Sequence, residues 1–229
     1  MPILKGLKGL ATFTGASAAL FAGTWKLYTH NTTFVPFDST TASFLTLSNP
    51  LRSRNPNNNP PALQDHCLRK VPLSKLQTTD QEELTRRFCA GVWSGWGFEY
   101  QRKKLEKEGR ALEGRAEHLW DREVLGKSGY EVGTRIADHF EVVERTPGRV
   151  VVRCGDTPAK QGLRPSDGLF SMEVDVDKDE GYATFHMKSF FFNSTPGGKT
   201  AGILPWYFPF LHREYAKLWM ETSVRKLLK

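Results

Sequence analysis

Hydrophobic and polar residues alternate with a period of two through much of the second half of the chain. The stretch "GTRIADHFEVVE" places Ile136, Phe140 and Val142 on one side. "RVVVRCG" follows the turn signal "TPG", and "GLFSMEVDVD" and "YATFHMKSFFF" are joined by "KDEG". This alternation is typical of strands with one buried and one solvated face. It predicts a four-stranded antiparallel meander.

Helical periodicity precedes this meander. In "TTDQEELTRRFCAGVWS", Leu84, Phe88 and Val92 recur on one face, and Thr79 or Asp80 is suited to cap the N-terminus. In residues 98–125, charges of both signs interleave at helical spacing, and two glycines interrupt the run. The pattern predicts one buried helix followed by one or two solvated helices.

A long amphipathic segment ends the chain. In "LHREYAKLWMETSVRKLL", Leu211, Tyr215, Leu218 and Thr222 form one apolar stripe, which Trp219 widens. Such a helix would cover the apolar face of the sheet. The predicted fold class is therefore α+β: a four-stranded antiparallel sheet preceded by helices, covered by a long C-terminal helix, with an N-terminal apolar segment.

The first 64 residues differ in composition from the rest. No charged residue occurs from Gly9 to Trp25, which is close to the lower limit for a membrane span. "NPLRSRNPNNNPPAL" is rich in Pro and Asn and predicts an extended or flexible connection. We therefore predict three parts: residues 1–30 as an anchor or targeting segment, 31–64 as a flexible linker, and 65–229 as the α+β domain.

The N-terminal segment has several interpretations. A single-pass anchor would leave Lys5 and Lys8 in the cytosol. A mitochondrial presequence would explain the absence of acidic residues before Asp38, although no Arg precedes Arg52. A cleaved secretory signal and a helix packed on the domain are further alternatives. The sequence predicts membrane association through this segment, with a mitochondrial location as the alternative.

Composition and motifs exclude several classes of function. The formal net charge of +7 permits nucleic acid as a partner, but there is no zinc-finger spacing, ribonucleoprotein signature or basic zipper region. The three cysteines are isolated, which argues against a disulfide framework or a zinc site. The six histidines are dispersed, and phosphate-loop, dinucleotide and hydrolase motifs are absent. We predict no cofactor, no metal and no nucleic acid.

The order of elements resembles a known superfamily. With "YEVGT" entering the sheet, the pattern "GT…FEV…VVVR" and an aromatic closing helix, residues 80–229 resemble the helix-grip, or START-like, superfamily of polyketide cyclases and lipid-transfer domains. The resemblance implies an apolar cavity between the sheet and the last helix. Members usually open with a strand before the helices, which only residues 44–48 could supply here. A cone-shaped NTF2-like fold is the alternative.

Asp138 and two residues of the last helix are candidate site residues. By strict alternation Asp138 shares a face with Ile136 and Phe140, where a carboxylate could act as a general base, unless a bulge turns it outward. His212 and Tyr215 lie near the sheet-facing stripe and are candidate ligand contacts. His139 and His186 fall on the wet faces of their strands. Whether any reaction is catalysed stays open.

The stretch "VRCGDTPAKQGLRPSDGLF" is long for a hairpin connection. Arg153 and Arg164 are suited either to bind an anionic ligand or to pair with Asp156 and Asp167 and fix the loop. Two sequons, at Asn31 and Asn193, are candidate glycosylation sites only if the chain is lumenal.

Two functions from different classes follow from these patterns. The first is a membrane- or organelle-associated domain that binds a small hydrophobic molecule or lipid, as a carrier or as a cofactor-free cyclase or isomerase. The second is a non-enzymatic accessory or assembly protein whose aromatic residues 206–210 dock a partner or a membrane surface. An enclosed apolar pocket would favour the first. A filled core with an exposed aromatic patch would favour the second.

Overall fold

The computed structural model describes residues 20–200 and 204–229. The chain divides into two compact units, residues 1–31 and 32–229. In the described part of the first unit, residues 20–29 are helical. The rings of Phe21 and Trp25 stack with centroids 6.3 Å apart. The Thr29 hydroxyl donates to the Trp25 carbonyl at 2.9 Å.

The predicted membrane anchor requires correction. Residues 9–19 of the predicted segment lie outside the described residues. In residues 20–200 and 204–229, no helix has both the length and the apolar character needed to cross a bilayer. The prediction of a membrane-associated protein with a single-pass N-terminal anchor is therefore wrong, and the mitochondrial alternative, which rested on the same segment, is not retained.

The second unit contains one antiparallel sheet of seven strands, so the predicted four-stranded sheet is wrong. The spatial order is β1-β2-β7-β6-β5-β4-β3. The α+β class is confirmed. The strands are β1 (Thr33–Val35), β2 (Leu63–Pro72), β3 (Arg135–Ile136), β4 (Phe140–Thr146), β5 (Arg149–Cys154), β6 (Asp167–Asp177) and β7 (Tyr182–Phe192).

The three additional strands have separate causes. β2 lies before the helices and pairs with β7 over its whole length, from Leu63↔Phe191 to Pro72↔Tyr182. β1 then pairs with β2 at the sheet edge. β3 and β4 were predicted as one strand. The chain turns between them because the His139 amide donates to the Ile136 carbonyl, while Ala137 and Asp138 both have positive φ.

Helices pack on one face of the sheet. They are α3 (Gln81–Trp93), α4 (Trp96–Gly109), α5 (Arg122–Lys127) and α6 (Phe208–Val224). Two short helices, α1 (Ala42–Leu45) and α2 (Ser48–Arg54), come earlier in the chain and lie on the other face. α3 begins after Asp80, whose carboxylate accepts from the Glu83 amide at 2.8 Å. The predicted C-terminal helix is confirmed as α6, which packs against α3 and β2.

Residues 37–62 lie on the opposite face of the sheet, within the stretch 31–64 that was predicted as a flexible linker. Phe37 and Leu47 are buried there in a second apolar cluster with Val151, Leu169, Phe190 and Phe192. The Asn59 side-chain amide donates to the carbonyls of Asn193 and Thr195 at 2.6 and 2.7 Å. We call residues 37–62 the cover, because they shield this second face from solvent.

Gly91 marks the close contact of α3 with α6. Alanine is normally better than glycine inside a helix by about 0.5–1 kcal/mol. A Cβ at Gly91, however, would lie 2.8 Å from Ser223 Cα, so the backbone of α6 would have to move. We expect Gly91→Ala to lower the free energy of unfolding by about 1–3 kcal/mol in urea denaturation.

Gly126→Ala is the matched control for this substitution. A Cβ there would lie 3.7 Å from Ser94 Cβ, an ordinary contact. The control should leave stability unchanged or raise it. A stabilising effect of Gly91→Ala would contradict the helix contact described here.

Candidate functional site

Five aromatic rings fill the space between the sheet and α6. They belong to α3, α4, β4, β6 and α6 and meet edge to face or tilted: Trp93, Phe98, Phe140, Phe170 and Trp219. The Trp93 centroid lies 4.6 Å from Phe140 and 5.5 Å from Trp219. The Trp219 indole donates to the Gly97 carbonyl at 3.2 Å, which satisfies its one polar group. This cluster occupies the region in which a helix-grip protein would hold its ligand.

The residues just before α6 and in its first turn present their aromatic side chains to solvent. Trp206 is 90% exposed and Phe210 is 64% exposed. Tyr207, Phe208 and Leu211 are also exposed. Monomeric proteins rarely leave a contiguous apolar patch uncovered without a function for it. We call residues 206–211 the aromatic segment.

His212 anchors the aromatic segment to the sheet. Its ring stacks on Phe208, with centroids 6.2 Å apart, and meets the edge of Phe191 at 5.2 Å. Its Nε2 lies 3.1 Å from Ser189 Oγ and 3.4 Å from Asp65 Oδ2. Both partners are buried. The base of the segment is therefore fixed in position, while its outer side chains stay exposed.

Ser189, His212 and Asp65 do not form a nucleophilic triad. In such a triad, one imidazole nitrogen serves the nucleophile and the other is held by the carboxylate. Here both partners approach the same nitrogen, Nε2. Ser189 is also only 1% exposed. The geometry supports a positioning role for His212.

Tyr215 joins α6 to α4. Its hydroxyl donates to Gln101 Oε1 at 3.2 Å, and its ring lies 4.9 Å from that of Trp219. Burial raises the pKa of Tyr215 to about 12, so the phenol stays protonated at neutral pH. Trp96 and Tyr100, on α4, are exposed. The structure thus brings His212 and Tyr215 together on one helix beside exposed aromatic side chains.

Arg153 and Arg164 lie elsewhere. Arg153 donates to both carboxylate oxygens of Asp167, at 2.8 and 2.6 Å, and to the Gly162 carbonyl at 2.6 Å. Arg164 is 1% exposed, and its Nε donates to the Lys160 carbonyl at 2.8 Å. Both guanidinium groups therefore bind their own connecting loop, which favours the structural alternative for this stretch.

The two predicted groups of ligand contacts are separated by the sheet. Arg153 pairs with Leu169 in the strand register, and Leu169 belongs to the cluster beneath the cover. His212 contacts Ser189, which pairs with Phe170 in the aromatic cluster on the helical face. Arg153 and His212 therefore face opposite sides of the sheet and do not form one site.

Asp138 lies in the turn between β3 and β4, with a φ of 50°. Its Oδ1 accepts from Thr157 Oγ1 at 2.6 Å and lies 2.8 Å from Arg115 Nε. The same oxygen is 3.5 Å from His118 Nδ1, and burial lowers the pKa of His118. These contacts tie Asp138 to neighbouring loops, and the turn, rather than strand alternation, sets its direction.

The remaining predicted residues are placed as follows. Asn31 is exposed, and Asn193 accepts from the amide and hydroxyl of Thr195 at 2.9 and 2.7 Å.

All three cysteines are buried and unpaired. Burial raises the pKa of Cys89 to about 12. Within the described ranges, no group of His, Cys, Asp and Glu is arranged to hold a metal ion.

Sequence reasoning missed a polar cluster under the cover. His186, predicted on a wet face, contacts His66 through a nitrogen–nitrogen distance of 2.9 Å. Lys188 is 2% exposed and lies 2.5 Å from Glu173. An open cleft of about 460 Å³ reaches this cluster; it is lined by residues of the cover and of the strands, among them Thr46, Arg149, Glu173, Asp175, His186 and Lys188. Ionisable residues at alternate positions of β6 and β7 were the available signal.

Comparisons of the chain with protein-family models, with curated proteins and with solved structures find no match. The helix-grip resemblance stays a prediction that rests on element order. The structure adds that a strand, β2, precedes α3 and pairs with the last strand.

Proposed function

We propose that this protein is a non-enzymatic accessory protein that docks the apolar surface of a partner protein through its aromatic segment. One observation carries the proposal: residues 206–211 expose a run of aromatic side chains from an anchored base. Aromatic residues in such positions supply much of the binding energy at protein interfaces.

The aromatic segment is suited to docking because its backbone is restrained. Pro205 precedes it, and Pro209 lies in the first turn of α6. Proline fixes φ, so less conformational freedom is lost when the segment binds. His212 holds the base of the segment against the sheet. Binding would then require little rearrangement of the exposed rings.

The filled interior also favours docking of a partner protein rather than binding of an enclosed hydrophobic ligand. A carrier, cyclase or isomerase of the helix-grip type needs an apolar chamber between the sheet and the last helix. Here that region holds the Trp93–Trp219 contact and the three phenylalanine rings packed against it. The side chains of residues 206–211, at the start of α6, are among the apolar groups that remain accessible on the surface.

The charges beside the aromatic segment favour a protein as the partner over an anionic membrane surface. On α6, Lys217 pairs with Glu214 at 2.7 Å. Arg213 lies over the Phe34 ring at 4.3 Å. These charges have both signs and are already engaged, which resembles the polar rim around the apolar centre of a protein interface.

Photocrosslinking tests the proposal. A benzophenone amino acid in place of Trp206 should give one discrete protein adduct in an extract of the native source. The same probe in place of Leu112, an exposed residue on another surface, should not. With the purified partner, the double substitution Trp206→Ala, Phe210→Ala should weaken binding by at least about 30-fold, because two truncated anchors should remove about 2 kcal/mol or more.

Three outcomes would overturn this function. The first is equal crosslinking from positions 206 and 112. The second is an adduct composed only of two copies of this chain, confirmed by sedimentation. The third is binding to phosphatidylcholine vesicles that is lost in the double variant. Unchanged circular dichroism and melting of the double variant would show that the substitutions affect binding alone.

A further inference from the structure

Two imidazoles lie under the cover, on adjacent strands of the sheet. His66 is on β2 and His186 is on β7, with 2.9 Å between His66 Nε2 and His186 Nδ1. His186 Nε2 lies 3.2 Å from Asp175 Oδ2. His66 is 3% exposed, and its other nitrogen, Nδ1, is buried without a hydrogen-bond partner among the described residues.

The geometry fixes where the protons lie. The Asp175 carboxylate favours a proton on Nε2 of His186, so Nδ1 of that ring is an acceptor. His66 must then donate from Nε2, which leaves its Nδ1 unprotonated. In this arrangement one proton lies between the two rings. A second proton between them would replace the hydrogen bond by two opposed N–H groups.

The surroundings of the pair oppose additional positive charge. Lys188, on β7, lies directly across from His66 in the strand register. Its ammonium is shared between Glu173, at 2.5 Å, and Thr46 of the cover, at 2.9 Å. Besides Asp175 and Glu173 of β6, the cleft wall includes Arg149 of β5. On the cover side, the group against His66 is the apolar ring of Phe37, 5.7 Å away.

We propose that acid opens the cover: proton uptake by the His66–His186 pair releases residues 37–62 from the second face of the sheet. This proposal is independent of docking by the aromatic segment. A charged His66 would lie beside the Lys188 ammonium and beneath Phe37, without access to water. The cover separates His66 from solvent, so its departure is the motion that hydrates the new charge.

The open cleft provides the route for the proton. Its lining includes Ser43 and Thr46 of the cover together with His186 and Asp175 of the strands. His186 is thus reached from bulk solvent, and His66 contacts His186 from beneath the cover. Lifting the cover would expose the apolar side chains that it buries, including Phe190 and Phe192. Acid would therefore uncover a second apolar face of this protein.

The sign and size of the effect follow from linkage. Burial, followed by the nearby charges of His186 and Lys188, lowers the pKa of His66 to about 3. With the cover open, the exposed imidazole would return to about 6.5. The closed state binds fewer protons between these values, so stability of the closed state is present at neutral pH and is lost as the pH falls below about 6.5. From pH 7.5 to 5.0, the opening constant should rise about 30-fold.

Hydrogen exchange of the full chain tests the proposal. Amides of residues 37–62, corrected for the intrinsic dependence of exchange on pH, should open about 30-fold more at pH 5.0 than at pH 7.5. Amides of β5 should change little. The variants His66→Gln and His66→Phe should lose this acid response, and His30→Gln, at an exposed histidine, should retain it.

Each alternative result would overturn acid opening of the cover. Equal opening at both pH values would show that the pair does not control the cover. An acid response that persists in both His66 variants would assign it to other groups. A parallel rise in exchange of β5 would indicate global acid unfolding. Using two variants protects the test, since one of them retaining its fold at pH 7.5 is sufficient.

Discussion

Trp219→Ala should lower the free energy of unfolding by about 3–5 kcal/mol, the range for removing a buried aromatic side chain. Trp219 is 7% exposed and touches four other rings of the aromatic cluster. Its indole also satisfies the Gly97 carbonyl. Truncation would remove these contacts and leave a cavity between α6 and the sheet. The melting temperature should fall by roughly 10 °C in a thermal denaturation experiment.

Lys217→Ala is the matched control, two positions earlier on α6. Lys217 is partly exposed and pairs with Glu214, so its loss should change stability by about 0–1 kcal/mol. Equal, small effects of both substitutions would show that α6 does not pack through Trp219. Indole added to the Trp219→Ala variant should raise its melting temperature, because a closed apolar cavity binds small aromatic molecules.

The central strands were predictable because their burial follows alternation. In β6, Phe170, Met172 and Val174 point toward the helices, and the polar residues between them point to the other side of the sheet. The start of α3 was predictable for a similarly local reason, the Asp80 cap. Local signals of this kind do not depend on distant parts of the chain.

β2 was missed because its inward positions include charged residues. Arg69 faces α6, where it pairs with Glu221 at 2.7 Å, and Glu221 is fully buried. Asp65 also points inward, toward His212. Periodicity assigns charged residues to the wet face, so a strand whose inward charges are paired with a distant helix gives no clear pattern.

The cover was missed because its contacts lie far away in sequence. Its second half, residues 49–62, is rich in Pro and Asn, and Asn59 holds it to residues beyond position 190 through backbone carbonyls. A Pro- and Asn-rich composition ordinarily indicates a loose connection. Without the cover, alternation assigns His186 to the solvated face, which is why the buried imidazole pair was not predicted.

The aromatic segment shows a further limit of helical periodicity. Leu211 was assigned to the apolar stripe that covers the sheet, yet it is 55% exposed. The stripe is buried only from Ala216 onward, where α6 lies against α3 and β2. Periodicity shows which face of a helix is apolar. It does not show how far along the helix the elements that cover this face extend.

Arg153→Ala should also lower the free energy of unfolding by about 3–5 kcal/mol, because removing one partner leaves a buried charge uncompensated. The Arg153 and Asp167 side chains are 6% and 0% exposed and form two hydrogen bonds. Asp167 would retain the Ser194 hydroxyl as a donor, at 2.7 Å, but no cation would face it at this distance. Denaturation in urea measures the loss.

Arg149→Ala provides the comparison on the same strand. Arg149 pairs with Glu144, but about a fifth of its side chain is exposed, so the expected loss is about 0–1 kcal/mol. Because Arg153 also holds the Gly162 carbonyl, the Arg153 variant should be cleaved faster by trypsin within residues 155–166. If both variants lose the same small amount of stability and resist cleavage equally, Arg153 does not fix the loop. A function for its guanidinium outside the fold would then have to be sought.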